Sequence, residues 1–211
     1  GNYRESRLIG NVMHLVCQET SDTVFTYYWR NWDYQQTTKL LSLDIEDPQT
    51  PNQMFEETIA GRAEVLFANN QYLIVITSDL SKDYYQSHVA HTFALNEGNY
   101  PVKKHTISIG GRVRDKFKIH TFNGVLTIVS QARKDSWQIY SLLENFDLET
   151  GNKLGSLDIA ERATLYATRF QGNYAYIVTF LRVDPLFIID LSIPEEPRII
   201  SELKVPGWSE Y

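Results

Sequence analysis

The pattern of apolar and polar positions in this chain repeats. The runs VMHLVC (12–17), YLIVIT (72–77), VLTIVS (125–130) and YAYIVT (174–179) are dominated by β-branched, aromatic and other apolar residues, the composition of a strand. Each follows a turn signal, Gly10-Asn11, Asn69-Asn70, Asn123-Gly124 and Gly172-Asn173 respectively, residue pairs that reverse the chain at low steric cost. A second phrase recurs downstream as SLDIED (42–47), FALNEG (93–98), NFDLETG (145–151) and IIDLSIP (188–194), and is read as a later strand of each unit. A third phrase closes each unit in IAGR (59–62), IGGR (109–112), IAER (159–162) and VPGW (205–208).

The stretch VTFLRVDPLFIIDLS (178–192) shows how the strands join. Tyr174 to Phe180 reads as one strand and Leu186 to Leu191 as the next. Asp184-Pro185 separates them, because proline donates no backbone hydrogen bond and biases the residue before it towards extended geometry. The starts of the first phrase, at 12, 72, 125 and 174, set a period of about 50 residues with four strands to a unit, the sequence form of a propeller blade. The expected fold is therefore all-β: a β-propeller-type array of about four four-stranded antiparallel blades, near residues 1–61, 62–111, 112–161 and 162–207, with 208–211 beginning another. Little helix is expected, since no stretch keeps a 3.6-residue period. A β-sandwich also spaces strands at short intervals, but it offers no reason for four copies of one phrase.

The phrases Gly1-Asn2-Tyr3 and Glu5-Ser6-Arg7-Leu8-Ile9-Gly10, and above all VTFLRVDPLFIIDLSIPEEPRI with ELKVPGWSEY, resemble bacterial and archaeal secreted proteins with a β-propeller domain distantly related to WD repeats. The resemblance is strongest over 160–211. It implies a longer parent protein with further blades on both sides, an extracytoplasmic location (secreted, periplasmic or cell-surface) and no assigned activity. The chain, which opens at GNYRESRLIG and stops at VPGWSEY, is accordingly expected to be an excerpt of a larger propeller. An excerpt has two bare blade faces. With each on the order of 500 Å² of mostly apolar surface, leaving both in water forgoes on the order of 25 kcal/mol at ~25 cal/mol per Å². The chain is thus expected either to close on itself or to self-associate into a ring.

Composition narrows the partners. A net charge of -6 and a pI near 5.4 argue against nucleic acid as the partner. Cys17 is the single cysteine, so no intrachain disulfide forms, and in VMHLVCQ it reads as a small buried hydrophobe. No apolar run approaches the ~18 residues of a membrane span. No metal site or cofactor is expected: the histidines at 14, 88, 91, 105 and 120 lack ligand spacing, and His88 and His91 fall on opposite faces of one strand. Each reads as a half-buried strand residue. No catalytic residue is nominated, because neither a nucleophile elbow, a zinc helix nor a phosphate-binding glycine loop is present.

Candidate chemistry gathers where the loops between second and third strands meet the connections between units. The first such loop, DTVFTYYWRNWDYQQ, carries Tyr28, Trp29, Trp32 and Tyr34; later loops carry Tyr85, Trp137, and Arg182 with Asp184. Tyr, Trp and Arg are the residues of interaction hot spots and of sugar platforms. The competing reading folds the aromatics back onto their own blade as an extra hairpin, and pairs Arg182 with Asp184 across its turn. Arg62, Arg112 and Arg162 recur at even spacing between units and read as structural, a guanidinium being able to satisfy several loop carbonyls at once. Two functions follow: a non-catalytic recognition or scaffold module for a protein or carbohydrate, or, alternatively, a hydrolase or lyase with its site at the ring's central opening.

Overall fold

The computed structural model describes residues 1–20, 36–78, 87–134, 138–180 and 184–205. They form sixteen strands in four separate antiparallel sheets, each built from one continuous stretch of chain and ordered as in the sequence. The first sheet holds β1 (Asn2–Ile9), β2 (Val12–Thr20), β3 (Gln36–Asp44) and β4 (Asn52–Ala60). The second holds β5 (Ala63–Ala68), β6 (Tyr72–Ser78), β7 (His88–Leu95) and β8 (Pro101–Ile109). β9 (Ile119–Phe122), β10 (Val125–Arg133), β11 (Ile139–Asp147) and β12 (Lys153–Glu161) make the third, and β13 (Thr164–Gln171), β14 (Tyr174–Phe180), β15 (Asp184–Asp190) and β16 (Arg198–Val205) the fourth. This is the propeller-type blade array expected from the repeat.

The sheets are equivalent down to their irregularities. In all four, the register between third and fourth strands slips near the end of the third, at Ser42/Leu43, Thr92/Phe93, Asn145/Phe146 and Ile188/Ile189. An extra residue at that point bends the outer strand and adds right-handed twist. Details differ from the sequence reading in two places. The second phrase, read as a strand, is the end of the third strand plus the turn that follows it: Asp47 and Asp147 close those turns by accepting from the backbone N–H groups of Gln49 and Glu149, the local bonding that makes Asp a turn residue. β15 begins at Asp184 rather than after Pro185. Pro185 pairs with Lys204 of β16 but lies outside the ladder to β14, which ends at Val178 opposite Leu186, so its missing donor breaks no bond there. Among the described residues only a 3-10 turn, Lys116–Lys118, is helical, capped by Asp115 accepting from the backbone N–H of Phe117.

Three core clusters hold the four sheets together, one in each gap. Val16, Leu40 and Ile59 of the first sheet pack on Leu66, Leu73, Val75 and Phe93 of the second. The opposite face of the second sheet, through Ile74, Ile76, Ile107 and Ile109, packs on Leu126, Ile128 and Phe146 of the third. Val129, Leu143 and Ile159 then meet Leu165, Ile177, Phe187 and Ile189 of the fourth. Successive residues of β6 thus serve alternate neighbours, as the two-residue period of a strand requires. No such cluster joins the first sheet to the fourth among the described residues.

Burial records the same thing. In β6 and β10 nearly every residue is buried, whereas β2 alternates, with Val12, His14, Val16 and Gln18 buried and Met13, Leu15 and Cys17 only partly so. Cys17 was expected to be buried; it is partly exposed because it lies on the outward face of the first sheet. The corresponding outer face of the fourth sheet carries Tyr174, 42% exposed, with Tyr176, Leu186 and Ile188 partly covered.

Polar side chains stitch the gaps. Glu5 accepts from the backbone N–H of Leu66, Asn99 donates to the carbonyl of Ile9, and Asn145 donates to that of Pro194. The side-chain amide of Gln131 both accepts from Leu165 N–H and donates to Ala163 O. Glu144, 3% exposed, accepts from the N–H of Gly110, just past the second sheet, and pairs with Lys153 at 2.9 Å.

Three histidines are more deeply buried than their sequence context suggested. His14, His88 and His91 are each under a tenth exposed, and burial lowers their pKa to about 4 from an ordinary 6.5. An unfolded chain therefore binds protons on these rings between pH 6.5 and 4 that the folded chain does not, so their contribution to stability is full at pH 7 and is lost as pH falls through that window. At on the order of 2 kcal/mol per ring, the melting temperature should fall clearly between pH 7 and pH 5, before most carboxylates protonate. Thermal melts over that range check it: His91→Gln should flatten the fall, and an unchanged melting temperature in the wild-type chain contradicts it.

Candidate functional site

One end of the sheets gathers the connections of interest. The second strands end there at Thr20, Ser78, Arg133 and Phe180, the third strands begin there, and the chain passes there from each sheet into the next. Of the residues nominated from sequence, Tyr28, Trp29, Trp32, Tyr34, Tyr85, Trp137 and Arg182 lie outside the described residues, and Asp184 is described only as the backbone start of β15. The inter-unit connections are described in full.

The first connection is built around Gly61. Its φ is +94°, and a β-carbon there would come within 2.4 Å of the Ser78 carbonyl, so only glycine lets the connection lie against the end of β6. Thr38 donates to the Gly61 carbonyl at 2.8 Å, Gly61 N–H donates to Gln36 O, and Arg62 exchanges bonds with Ser78 through backbone and hydroxyl. Gly111 does the equivalent by close approach, since a β-carbon there would come within 2.7 Å of the Gln131 carbonyl, while Arg112 and Gln131 exchange backbone bonds. In the third connection Glu161 stands where the others have glycine, and the left-handed conformation moves one residue on, to Arg162 at φ +59°.

The repeated arginines do not do the same thing. Arg62 donates to Glu64 through Nε at 3.0 Å and pairs with it through its terminal nitrogen at 2.9 Å; Arg112 reaches the other oxygen of Glu64 at 3.8 Å. One carboxylate, 11% exposed, thus ties two consecutive inter-sheet connections. Arg162 is exposed and bonds by its backbone N–H to Ile139 O at 2.7 Å. Beneath Arg112, His88 accepts from Val113 N–H through Nδ1 at 3.2 Å. Burial first, then the Arg112 and Arg62 charges, hold that ring neutral with its pKa near 4. His91, three residues on, points to the other face and bonds Thr77 at 3.1 Å, so the two rings do not converge.

Next to this network lies a cavity of about 240 Å³ between the first two sheets, lined by Arg4 and Glu5 of β1, Val16 of β2, and Arg62, Glu64 and Leu66 at the start of β5. Both first strands are irregular at this level: β1 slips register between Tyr3 and Glu5, and β5 between Ala63 and Val65. The bulged residues are Arg4 and Glu64. Bulges re-aim side chains in this way and recur beside functional sites. Sequence reading missed Arg4, Glu5 and Glu64. Glu64 was within reach of it, being two residues beyond a nominated arginine; Arg4 was not, because a bulge leaves no mark in the hydrophobic pattern.

The Glu64 network yields a test of its own. In Glu64→Ala, Arg62 and Arg112 face each other without the carboxylate between them, and urea unfolding should show a loss of about 2 kcal/mol. A change under about 0.5 kcal/mol would mean that the network does not tie the sheets.

The sequence profile of the family described as Beta propeller domain matches residues 24–211. An uncharacterized protein of Archaeoglobus fulgidus is 40% identical over 104 residues, 49% of this chain and 16% of its own length. An uncharacterized protein of Methanocaldococcus jannaschii is 35% identical over 123 residues, 56% of this chain and 19% of its own length. The chain therefore matches less than a fifth of either relative. Among solved structures, the β-propeller domain of the Trilobed protease from Pyrococcus furiosus, described as having an open velcro topology, superposes with a TM-score of 0.54 at 10% identity, over 97% of this chain and 57% of that one. At that identity the likeness speaks for the fold alone.

Proposed function

This chain belongs to the Beta propeller domain family, and from that premise we propose that it is a non-catalytic recognition or scaffold module of an exported protein, taking a protein or glycan on the face formed by its second-to-third-strand loops and inter-sheet connections. The observation that carries this reading is topological: all four sheets turn the same end to one face, where the connections are held by buried polar bonds and the Arg62–Glu64–Arg112 network. A rigid floor beneath loops rich in Tyr and Trp suits recognition, because such loops work best when their scaffold costs no ordering on binding. Export rests on the resemblance to secreted propeller proteins.

The four tryptophans are Trp29, Trp32, Trp137 and Trp208, three of them in these loops. The fluorescence of those three should therefore report on this face. Screening soluble oligosaccharides and peptides should find a ligand that shifts the emission saturably, and the double variant Trp29→Ala/Trp32→Ala should weaken that ligand at least tenfold with an unchanged melting temperature. A ligand held equally well by the double variant places recognition elsewhere.

We infer self-association from the outer faces of the first and fourth sheets, on which no other sheet packs among the described residues. The partner we assign to them is a second copy, its first sheet stacked on the fourth sheet of its neighbour, with two copies closing one ring. Sedimentation should give a dimer that Ile188→Lys converts to a monomer; a monodisperse wild-type monomer would refute the pairing.

A further inference from the structure

The cavity between the first and second sheets contains an unbalanced charge. Both carboxylates that line it are already engaged: Glu5 pairs with Arg7 and accepts from Leu66 N–H, and Glu64 pairs with Arg62 and Arg112. Among the described residues nothing bonds or pairs with the side chain of Arg4. Yet the bulge between Tyr3 and Glu5 sets Arg4 against this cavity, opposite the bulge that sets Glu64 there. Arg7 pairs with Glu5, and Arg62 and Arg112 with Glu64, so neither carboxylate is left over for Arg4, on a chain whose net charge is -6. The rest of the wall is aliphatic, from Val16, Val65 and Leu66.

We propose that this cavity is a binding site for a monoanionic carboxylate borne on a short aliphatic stem, with Arg4 as the group that holds the anion. The guanidinium fork matches a carboxylate in two parallel hydrogen bonds. A single uncompensated charge beside two paired glutamates favours a monoanion over a dianion such as phosphate, which the glutamates would repel. The aliphatic wall and a volume of about 240 Å³ suit a stem of a few carbons. Such a group is carried by a small organic acid or by the C-terminus of a peptide with an aliphatic last residue. The site lies at the recognition face and deepens that reading, but it stands on Arg4 and the cavity, not on the loop aromatics.

The test is an NMR titration of the ¹⁵N-labelled full chain, following the backbone amides of Arg4, Val65 and Leu66. The probes are butyrate, an N-acetylated tripeptide ending in valine with a free C-terminus, the same tripeptide amidated, and inorganic phosphate. Butyrate or the free-acid peptide should move these amides saturably, and Arg4→Ala should weaken that response roughly tenfold or more while leaving the rest of the spectrum unchanged. Arg4 is exposed and partnerless, so its loss leaves the fold intact; Arg4→Lys should restore part of the binding. A response to the free-acid peptide alone identifies a protein terminus as the source of the carboxylate, and a response to butyrate alone a small acid. Shifts unchanged in Arg4→Ala, equal binding of the amidated peptide, tighter binding of phosphate, or no response to either carboxylate at tens of millimolar would each overturn the proposal. The loop variant Trp29→Ala/Trp32→Ala should leave this titration unaltered, so failure here is separable from failure of the recognition face.

Discussion

Everything in this structure depends on one constraint: a sheet that is apolar on both faces must be packed on both. Residues 73–76, Leu-Ile-Val-Ile, send alternate side chains to the first sheet and to the third, and all four are fully buried. A sheet of that kind cannot be stable alone, and stacking it between two copies of itself covers both sides with the same chemistry. The twist added at the equivalent bulge of each sheet lets them stack face to face about a common axis. The end sheets carry the same type of strand, and their inward residues are as buried as any in the middle. What differs is the outward set, Met13, Leu15, Tyr174 and Tyr176 among them, on which no core cluster packs another sheet among the described residues.

The polar bonds between sheets gather where stacking leaves backbone groups without ladder partners. The first strands are the inner edges of their sheets, and their unpaired N–H groups are taken up by side chains of the preceding sheet, Glu5 for Leu66 and Gln131 for Leu165. These are the same edges at which the bulges occur, so the residues freed from the ladder, Arg4 and Glu64, become available for other work. In one case that work is visible: Glu64 gathers two arginines from successive connections. In the other, a charge faces a cavity.

The sequence announced the second strands best. Their starts at 12, 72, 125 and 174 coincide with those of β2, β6, β10 and β14, since a buried strand flanked by Gly and Asn is the strongest local signal a chain can carry. The third strands were located only at their ends, because each recurrent phrase holds the last residues of a third strand followed by the turn after it, which Asp47 and Asp147 close in the first and third sheets. Buried histidines were underestimated. A ring such as His88 is buried by the sheet that packs over it, and no local pattern reports that. Nor could even spacing separate Arg62 and Arg112, which share a carboxylate, from Arg162, which does not reach one.

The amino-acid sequence by itself determined the strands, their grouping in fours and the glycines at which units join, because hydrophobic period and backbone permissiveness are properties of neighbouring residues. Only the tertiary structure decided which face of each sheet meets which neighbour and that Arg4 and Glu64 border one cavity. Those outcomes depend on contacts between residues some sixty positions apart, and a bulge or a buried charge is specified by the partner it meets rather than by the residues beside it in the chain.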